Sequence, residues 1–198
     1  MIKPSFKLER KLIKSGYQNI IALDEVGRGA LAGPLVAVAV QATYVKKLPI
    51  RDSKLLSAKQ RESIFNELSQ VVVWSAGLVS HQEIDRYGIT KANLMVIDRA
   101  LKKLKVKPDY LLLDKIHSFN HQLPFQTIVK GDQKVFSIAL ASILAKVVRD
   151  RLMRDFDQRY PAYGFASHKG YGTKDHLEAI KKHGLSEIHR WSYRLNLV

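Results

Sequence analysis

The sequence predicts an α/β domain with a mixed central β-sheet flanked by helices. The chain has 198 residues, of which 46% are hydrophobic, and this suits a single compact domain with a substantial core. β-branched and apolar runs predict strands, and apolar residues at three- and four-residue intervals predict helices. Several strands come first and then alternate with helices, which is the order of an α/β or α+β domain.

The first half of the chain is predicted to hold three strands and three helices. Apolar runs predict strands over residues 20–25, 31–42 and 71–79. Glycines on both sides of an arginine mark a tight turn over 26–30. Ser57 begins a helix, and Ser80 begins another with Glu83 as its capping-box partner. Leucines and isoleucines at helical spacing predict a longer helix over 90–105.

The second half is predicted to hold two short strands and two helices. Residues 109–114 and 125–129 are short apolar runs that predict buried strands. The helix predicted over 133–157 is apolar around most of its circumference, so we expect it to lie against the sheet. Thr173 begins the last helix, which Gly184 closes.

Charge and composition narrow the class of function. The chain carries 33 Lys and Arg against 18 Asp and Glu, a net charge of +15 distributed along its length, which favours a partner with a phosphate backbone. It has no cysteine, which excludes disulfides, thiolate metal sites and cysteine nucleophiles. The longest apolar run is about half the length of a membrane helix, so we expect no membrane span.

Four acidic residues stand at strand ends or at a loop edge. Asp24 and Glu25 end one apolar strand, Asp114 ends another, and Asp132 follows a glycine before the long helix. Adjacent strand residues face opposite sides, so one carboxylate of the first pair points toward the core side and needs a cation partner. Asp132 could instead be a helix N-cap, and Asp114 could close a strand with a turn.

If these strand ends lie side by side, the carboxylates form an oxygen-rich site of the kind that Mg²⁺ or Mn²⁺ prefers. Two such ions about 4 Å apart suit phosphodiester hydrolysis. The chain contains no Walker pattern, no H-E-x-x-H zinc motif and no G-x-S-x-G elbow that would favour another chemistry.

Several segments in the same order resemble ribonuclease HII, the type-2 ribonuclease H family. They are IALDEVGRGALAGPLVAVAV, RDSKLLSAKQRE, IVKGDQKVFSIALASILAKVVRDRLM, YPAYGFASHKGYGTKDHLEAI and IHRWSY. The resemblance extends over about residues 20–193. It implies a ribonuclease-H-like fold, with residues 1–198 as one catalytic domain, a basic segment over about 1–19 and a substrate-contacting helical part over about 160–198.

The resemblance also implies an activity. It implies an endonuclease that hydrolyses the RNA strand of RNA–DNA hybrids, including single ribonucleotides embedded in duplex DNA, and leaves 5′-phosphate and 3′-hydroxyl ends. It implies two bound Mn²⁺ or Mg²⁺ ions and metal-binding, catalytic roles for Asp24, Glu25, Asp114 and Asp132, the last as a shared or more distant ligand. A cytoplasmic monomer that removes ribonucleotides and RNA primers is the corresponding expectation.

Substrate contacts are carried over in the same way. The segment Gly27-Arg28-Gly29 matches the loop whose backbone approaches the ribonucleotide 2′-hydroxyl, the group that distinguishes RNA from DNA. Tyr171 matches a tyrosine that packs at the RNA-to-DNA junction, and without its flanking motif it would be interpreted as a half-buried structural residue. Ser142, Lys146 and Arg149 share one stripe of the long helix, which could also be a solvated face. The candidate phosphate contacts are Lys54, Ser142, Lys146, Arg149 and Lys169.

Three positions depart from the family pattern. Val26 and Ala30 replace the usual alanine and proline, which predicts a bulkier and less rigid turn, and Lys115 replaces a small residue after Asp114.

Two other functions stay open. Ribonuclease HIII shares the fold, although the Gly-Arg-Gly loop argues against it. A non-catalytic nucleic-acid-binding domain would bind hybrids with or without divalent metal and never cut them.

Overall fold

The computed structural model describes residues 4–43, 50, 56–116 and 119–194, and in these ranges one five-stranded sheet forms the centre of the fold. Its strands are β1 Ile20–Val26, β2 Leu35–Gln41, β3 Trp74–Val79, β4 Tyr110–Asp114 and β5 Phe125–Ile128. They lie in the order β3-β2-β1-β4-β5. β1 pairs antiparallel with β2 and parallel with β4, so the predicted mixed sheet is confirmed.

Helices lie on both faces of this sheet. They are α1 Lys7–Lys14, α2 Ala58–Leu68, α3 His81–Lys103, α4 Gly131–Lys134, α5 Phe136–Arg159, α6 Phe165–His168 and α7 Lys174–His183, with a 3₁₀ turn at Pro161–Tyr163. Among the described residues, no helix combines the length and the apolar character that crossing a membrane requires.

The alternation of β1 separates two cores. Ile20 and Ala22 pack in the cluster that contains α5, and Ile21 and Leu23 pack in the cluster that contains α3. All four side chains are at most 2% exposed, because both faces of the central strand are covered. A third cluster, centred on Phe165, joins the C-terminal helices to the end of α5.

The predicted elements are present, and several of them differ from the prediction in their bounds. The sequence of α1 was assigned only to a basic segment, and β2 begins at Leu35 because residues 31–34 bend away, with Gly33 at φ +80°. The helix predicted after Ser80 and the one predicted over 90–105 are the two helical segments of α3, which meet at the non-helical Gly88, where φ is +75° and ψ is 155°. Asp132 lies in α4, so it is not the N-cap of α5, whose cap position is Val135.

Candidate active site

The four acids converge at one end of the sheet. Because β1 and β4 are parallel and Leu23 pairs with Leu113, Asp24 and Asp114 follow as neighbours at the carboxyl ends of adjacent strands. Asp132 lies in α4, four positions after the last residue of β5, and the backbone N–H of Gly131 donates to Asp114 Oδ1 at 3.1 Å. Carboxylates 90 positions apart in sequence therefore meet at one edge.

Asp24 and Glu25 are held from opposite faces of the sheet. The Ser142 hydroxyl on α5 hydrogen-bonds the Asp24 carboxylate. Asn93 Nδ2 on α3 donates to Glu25 Oε1 at 3.3 Å. The expected opposite orientation of adjacent strand residues is thus present, and both residues still line the same cleft at this edge of the sheet. Asn93, which is 2% exposed, was missed because a buried asparagine in a helix gives no local signal.

The electrostatics of the site disfavour four negative charges so close together without a cation. Burial raises the pKa of Asp24 well above its usual value, and the nearby charges of Glu25, Asp114 and Asp132 raise it further, against the Ser142 hydrogen bond. Burial also raises the pKa of Glu25, while Asn93 and Arg28 lower it. A cation among these groups would relieve the repulsion.

The donor set fits a hard divalent ion, since it consists of carboxylate oxygens beside one hydroxyl and contains no sulfur. Within the described ranges, no three His, Asp or Glu side chains are grouped as a ready-made ion site. To hold an ion, the carboxylates would therefore have to draw together. This is the direction in which neutralising their mutual repulsion would move them.

A cleft of about 420 Å³ contains this edge of the sheet. Its lining consists of Asp24, Glu25, Val26, Gly27, Arg28, Gly29, Arg61, Asp114, Lys115, Asp132, Ser142, Lys146 and Tyr171. The four acids thus share one concave surface with the Gly-Arg-Gly segment, Ser142, Lys146 and Tyr171. Arg61 was not singled out from the sequence, although its segment carried part of the family resemblance.

The Gly-Arg-Gly segment opens what we call the 27–34 loop, which joins β1 to β2. Gly27 has φ +96°, and a Cβ there would lie 2.2 Å from Arg149 Nε, so only glycine fits. At Gly29 a Cβ would meet nothing within 4 Å. Gly27 is therefore needed by the fold, whereas Gly29 borders open space. Ala30, one of the family departures, is fully buried.

Arg149 does not lie where the sequence predicted it. Its side chain is 0% exposed, and its guanidinium donates to the carbonyls of Ala32, Pro34 and Lys169 at 3.2, 3.0 and 2.9 Å. It does not line the cleft, so neither the expected phosphate contact nor the solvated face is observed. It holds the 27–34 loop from behind.

Of the other candidate phosphate contacts in the described ranges, Ser142 and Lys146 line the cleft and Lys169 does not. Lys146 lines it, paired with Asp150 at 2.7 Å, and its ammonium lies 5.9 Å from the ring centre of Tyr171. Lys169 is absent from the lining and donates to the Ala166 carbonyl, so its phosphate contact stays a prediction. Lys54 lies outside the described residues. Lys115, the departure after Asp114, is exposed at the cleft.

Comparison with known proteins identifies the family of this chain. A family profile described as ribonuclease HII matches residues 21–196. The ribonuclease HII of Syntrophotalea carbinolica is 47% identical over 188 residues, which cover 94% of this chain and 90% of that protein. The ribonuclease HII of Caldicellulosiruptor bescii is 42% identical over 195 residues, 98% of this chain and 95% of that protein.

Among solved structures, ribonuclease H2 from Pyrococcus horikoshii superposes with a TM-score of 0.73 at 26% identity, covering 89% of this chain and 94% of that one. The sequence profile, the relatives and the superposition agree, and each covers nearly the whole chain. The chain therefore belongs to the ribonuclease HII family of endonucleases.

Proposed function

We propose that this protein hydrolyses the RNA strand of RNA–DNA hybrids and also cuts at single ribonucleotides in duplex DNA, with 5′-phosphate and 3′-hydroxyl products. The observation that carries the proposal is one cleft shared by four converging carboxylates and the Gly27-Arg28-Gly29 segment. The acids provide a site for cleavage, and the loop provides backbone donors beside it.

Asp24, Glu25 and Asp114 are the proposed metal ligands, and Asp132 is a shared or more distant one. Two Mn²⁺ or Mg²⁺ ions, when bound, supply an activated water and stabilise charge on the leaving oxygen. The chain's own contribution is orientation: the Ser142 hydroxyl fixes Asp24, and the Asn93 amide fixes Glu25. Buried second partners of this kind hold ligands in place and limit their motion.

Substrate recognition is proposed to surround the acids. The 2′-hydroxyl of the ribonucleotide would lie against the backbone of Arg28 and Gly29, and Tyr171 would pack on the junction sugar or base. Lys146, Arg61 and Lys115 border the same cleft and are the cations placed to contact phosphates. A monomer acting in the cytoplasm on primers and misincorporated ribonucleotides stays a prediction from the family resemblance.

The deciding experiment is cleavage of a labelled DNA duplex that contains one ribonucleotide, with Mg²⁺, with Mn²⁺ and with EDTA, at a stated salt concentration. We expect a single metal-dependent cut on the 5′ side of the ribonucleotide, which would also show that Val26 and Ala30 are tolerated. Cutting of long hybrids alone would indicate behaviour like ribonuclease HIII. Binding without cutting under every condition would leave a non-catalytic nucleic-acid-binding domain.

A further inference from the structure

In the 27–34 loop, the carbonyl of Arg28 is held by hydrogen bonds from side chains inside the protein. The Arg28 carbonyl accepts a hydrogen bond from Tyr193 Oη at 2.6 Å and another from Arg190 Nη1 at 3.0 Å. Arg190 Nη1 also donates to the Tyr193 hydroxyl at 3.1 Å, so the three groups form a closed triangle. Both donors come from the far end of the chain.

Arg190 holds a second point of the same loop. Its Nε and Nη2 donate to the Gly33 carbonyl at 3.1 and 2.9 Å, and its backbone N–H donates to the Leu31 carbonyl at 2.8 Å. The side chain is 1% exposed, and no carboxylate of the described chain forms an ion pair with it. The loop carbonyls are therefore the main compensation for burying this cation.

Fixing the Arg28 carbonyl also fixes the next N–H group. The described peptide bonds are all trans, and a trans peptide points its C=O and its N–H in opposite directions. The carbonyl of Arg28 shares its peptide plane with the N–H of Gly29. Since the carbonyl is drawn inward, the Gly29 N–H is directed away from Arg190 and Tyr193.

Among the described groups this N–H has no competing partner, and it borders the cleft. Across the described residues, the backbone N–H groups of Arg28 and Gly29 donate to no other group, whereas those of Ala30, Leu31 and Gly33 are taken by carbonyls. Arg28 and Gly29 both line the cleft beside the acids. The loop therefore has donors available only where the substrate is proposed to lie.

We propose that Arg190 and Tyr193 are positioning residues for ribose selectivity: by holding the Arg28 carbonyl they aim the Gly29 N–H at the substrate 2′-hydroxyl. The inference rests on the proposed function, in which this loop contacts the ribonucleotide. Neither side chain has to touch the substrate. Their effect is confined to how well the loop distinguishes a ribose from a deoxyribose.

The test compares Tyr193→Phe with the wild type and with Tyr160→Phe. Tyr193→Phe removes one hydrogen bond to the Arg28 carbonyl and keeps the ring. Tyr160→Phe is the matched control, because it removes a phenol hydroxyl that bonds Glu187 in the same region and not the loop. Binding is measured in EDTA to two duplexes, one with a single ribonucleotide and one all-DNA. The selectivity is the Kd for the all-DNA duplex divided by the Kd for the ribonucleotide duplex.

We expect Tyr193→Phe to lower this ratio about fivefold, as the loss of one hydrogen bond implies, mainly by weakening binding to the ribonucleotide duplex. Tyr160→Phe should leave the ratio unchanged. Arg190→Lys, which cannot reach both loop carbonyls, should lower it at least as much wherever its thermal unfolding shows a folded protein. A purely structural role would shift both Kd values together.

Two results would overturn the inference, and they differ in what else they remove. If the wild type discriminates and cuts at the ribonucleotide but Tyr193→Phe keeps its selectivity, or weakens binding to both duplexes equally, the positioning role is wrong and the proposed function stands. If the wild type binds both duplexes equally and never cuts at the ribonucleotide, the proposed function fails, and the inference fails with it.

Discussion

Glu9 accepts hydrogen bonds from both the backbone N–H and the hydroxyl of Ser137, at 2.8 and 2.7 Å, across 128 positions of the sequence. Ser137 lies in the first turn of α5, the helix that carries Ser142 and Lys146 into the cleft. The cap residue Val135 makes no side-chain cap hydrogen bond, so a carboxylate from α1 caps this helix end instead.

Glu9→Ala is expected to lower the free energy of unfolding by about 1–2 kcal/mol, because it leaves the Ser137 donors buried without an acceptor. Urea unfolding monitored by circular dichroism measures the change. Glu67→Ala, at an exposed acid on α2, is the control and should be nearly neutral. Equal stability of the two variants would show that Glu9 does not cap α5.

Asp24→Asn should lose activity and gain stability together. Removing a metal ligand costs several kcal/mol of transition-state stabilisation, so cleavage should fall at least about 1000-fold. The same change removes a buried carboxylate whose pKa is raised by burial and by three acidic neighbours, so unfolding should become harder by about 1 kcal/mol. Asp98→Asn, at an exposed α3 acid paired with Lys102, should change neither quantity appreciably. Substantial residual cleavage by Asp24→Asn would contradict the ligand role.

The two glycines of the Gly-Arg-Gly segment should respond differently to alanine. Gly27→Ala forces a Cβ onto the Arg149 side chain at positive φ and should destabilise the protein, as thermal unfolding would show. Gly29→Ala meets open space, so its melting temperature should stay close to that of the wild type. Its cleavage at a single ribonucleotide should still fall, on the order of 100-fold, because the added methyl group narrows the approach to the backbone. A Gly29→Ala enzyme with normal cleavage would exclude a close substrate contact there.

Lys146 and Arg149 are one helical turn apart, and we expect their variants to fail in different assays. Lys146→Ala should weaken hybrid binding and reduce the slope of log K against log salt by about 1, as expected for a phosphate contact. Arg149→Lys should leave that slope unchanged and lower the unfolding free energy by about 2 kcal/mol, because lysine cannot replace three directed carbonyl bonds. A reduced salt slope for Arg149→Lys would restore the phosphate role that the structure argues against.

A hydrogen-bond chain in the C-terminal part assigns the histidine tautomers. His176 Nδ1 lies 3.0 Å from the Tyr171 carbonyl and must donate to it, so its Nε2 accepts from His189 Nε2 at 3.1 Å. His189 Nδ1 in turn accepts from the Ser186 N–H at 2.8 Å. Both rings are neutral in this arrangement. A further proton on either would place a donor against a donor.

This chain predicts a loss of stability in mild acid. Burial lowers the pKa of His176 and of His189 to about 4 from an ordinary value of 6.5. As the pH falls below 6.5 the unfolded chain takes up protons that the folded chain refuses, so stability decreases until about pH 4, by on the order of 3 kcal/mol for each ring. Urea unfolding at pH 7, 5.5 and 4.5 measures the loss, and ring ¹⁵N NMR identifies the tautomers. Titration of either ring above pH 6 would contradict the assignment.

Local sequence patterns predicted the features that depend on a single strand or helix. They missed the roles of side chains whose partners lie far away in the sequence. The meeting of Asp24 and Asp114 could be predicted because neighbouring parallel strands bring the acids near their carboxyl ends to one edge of the sheet. Arg149 was misjudged because helical spacing gives the side of α5 and not the depth: Arg149 is about 10 Å along the axis from Ser142, where the 27–34 loop covers the helix. Asn93 and Arg190 take their roles from partners 68 and 162 positions away.

The hold of Arg190 and Tyr193 on the Arg28 carbonyl also orders the maturation of the protein during synthesis. The ribosome releases the chain from its N-terminus, so the strands of the sheet and the four acids emerge before residues 190–193. Until then the loop lacks the donors that hold its carbonyls inward. If the proposed function holds, we expect discrimination between ribose and deoxyribose to be the last property that the chain acquires as it is made.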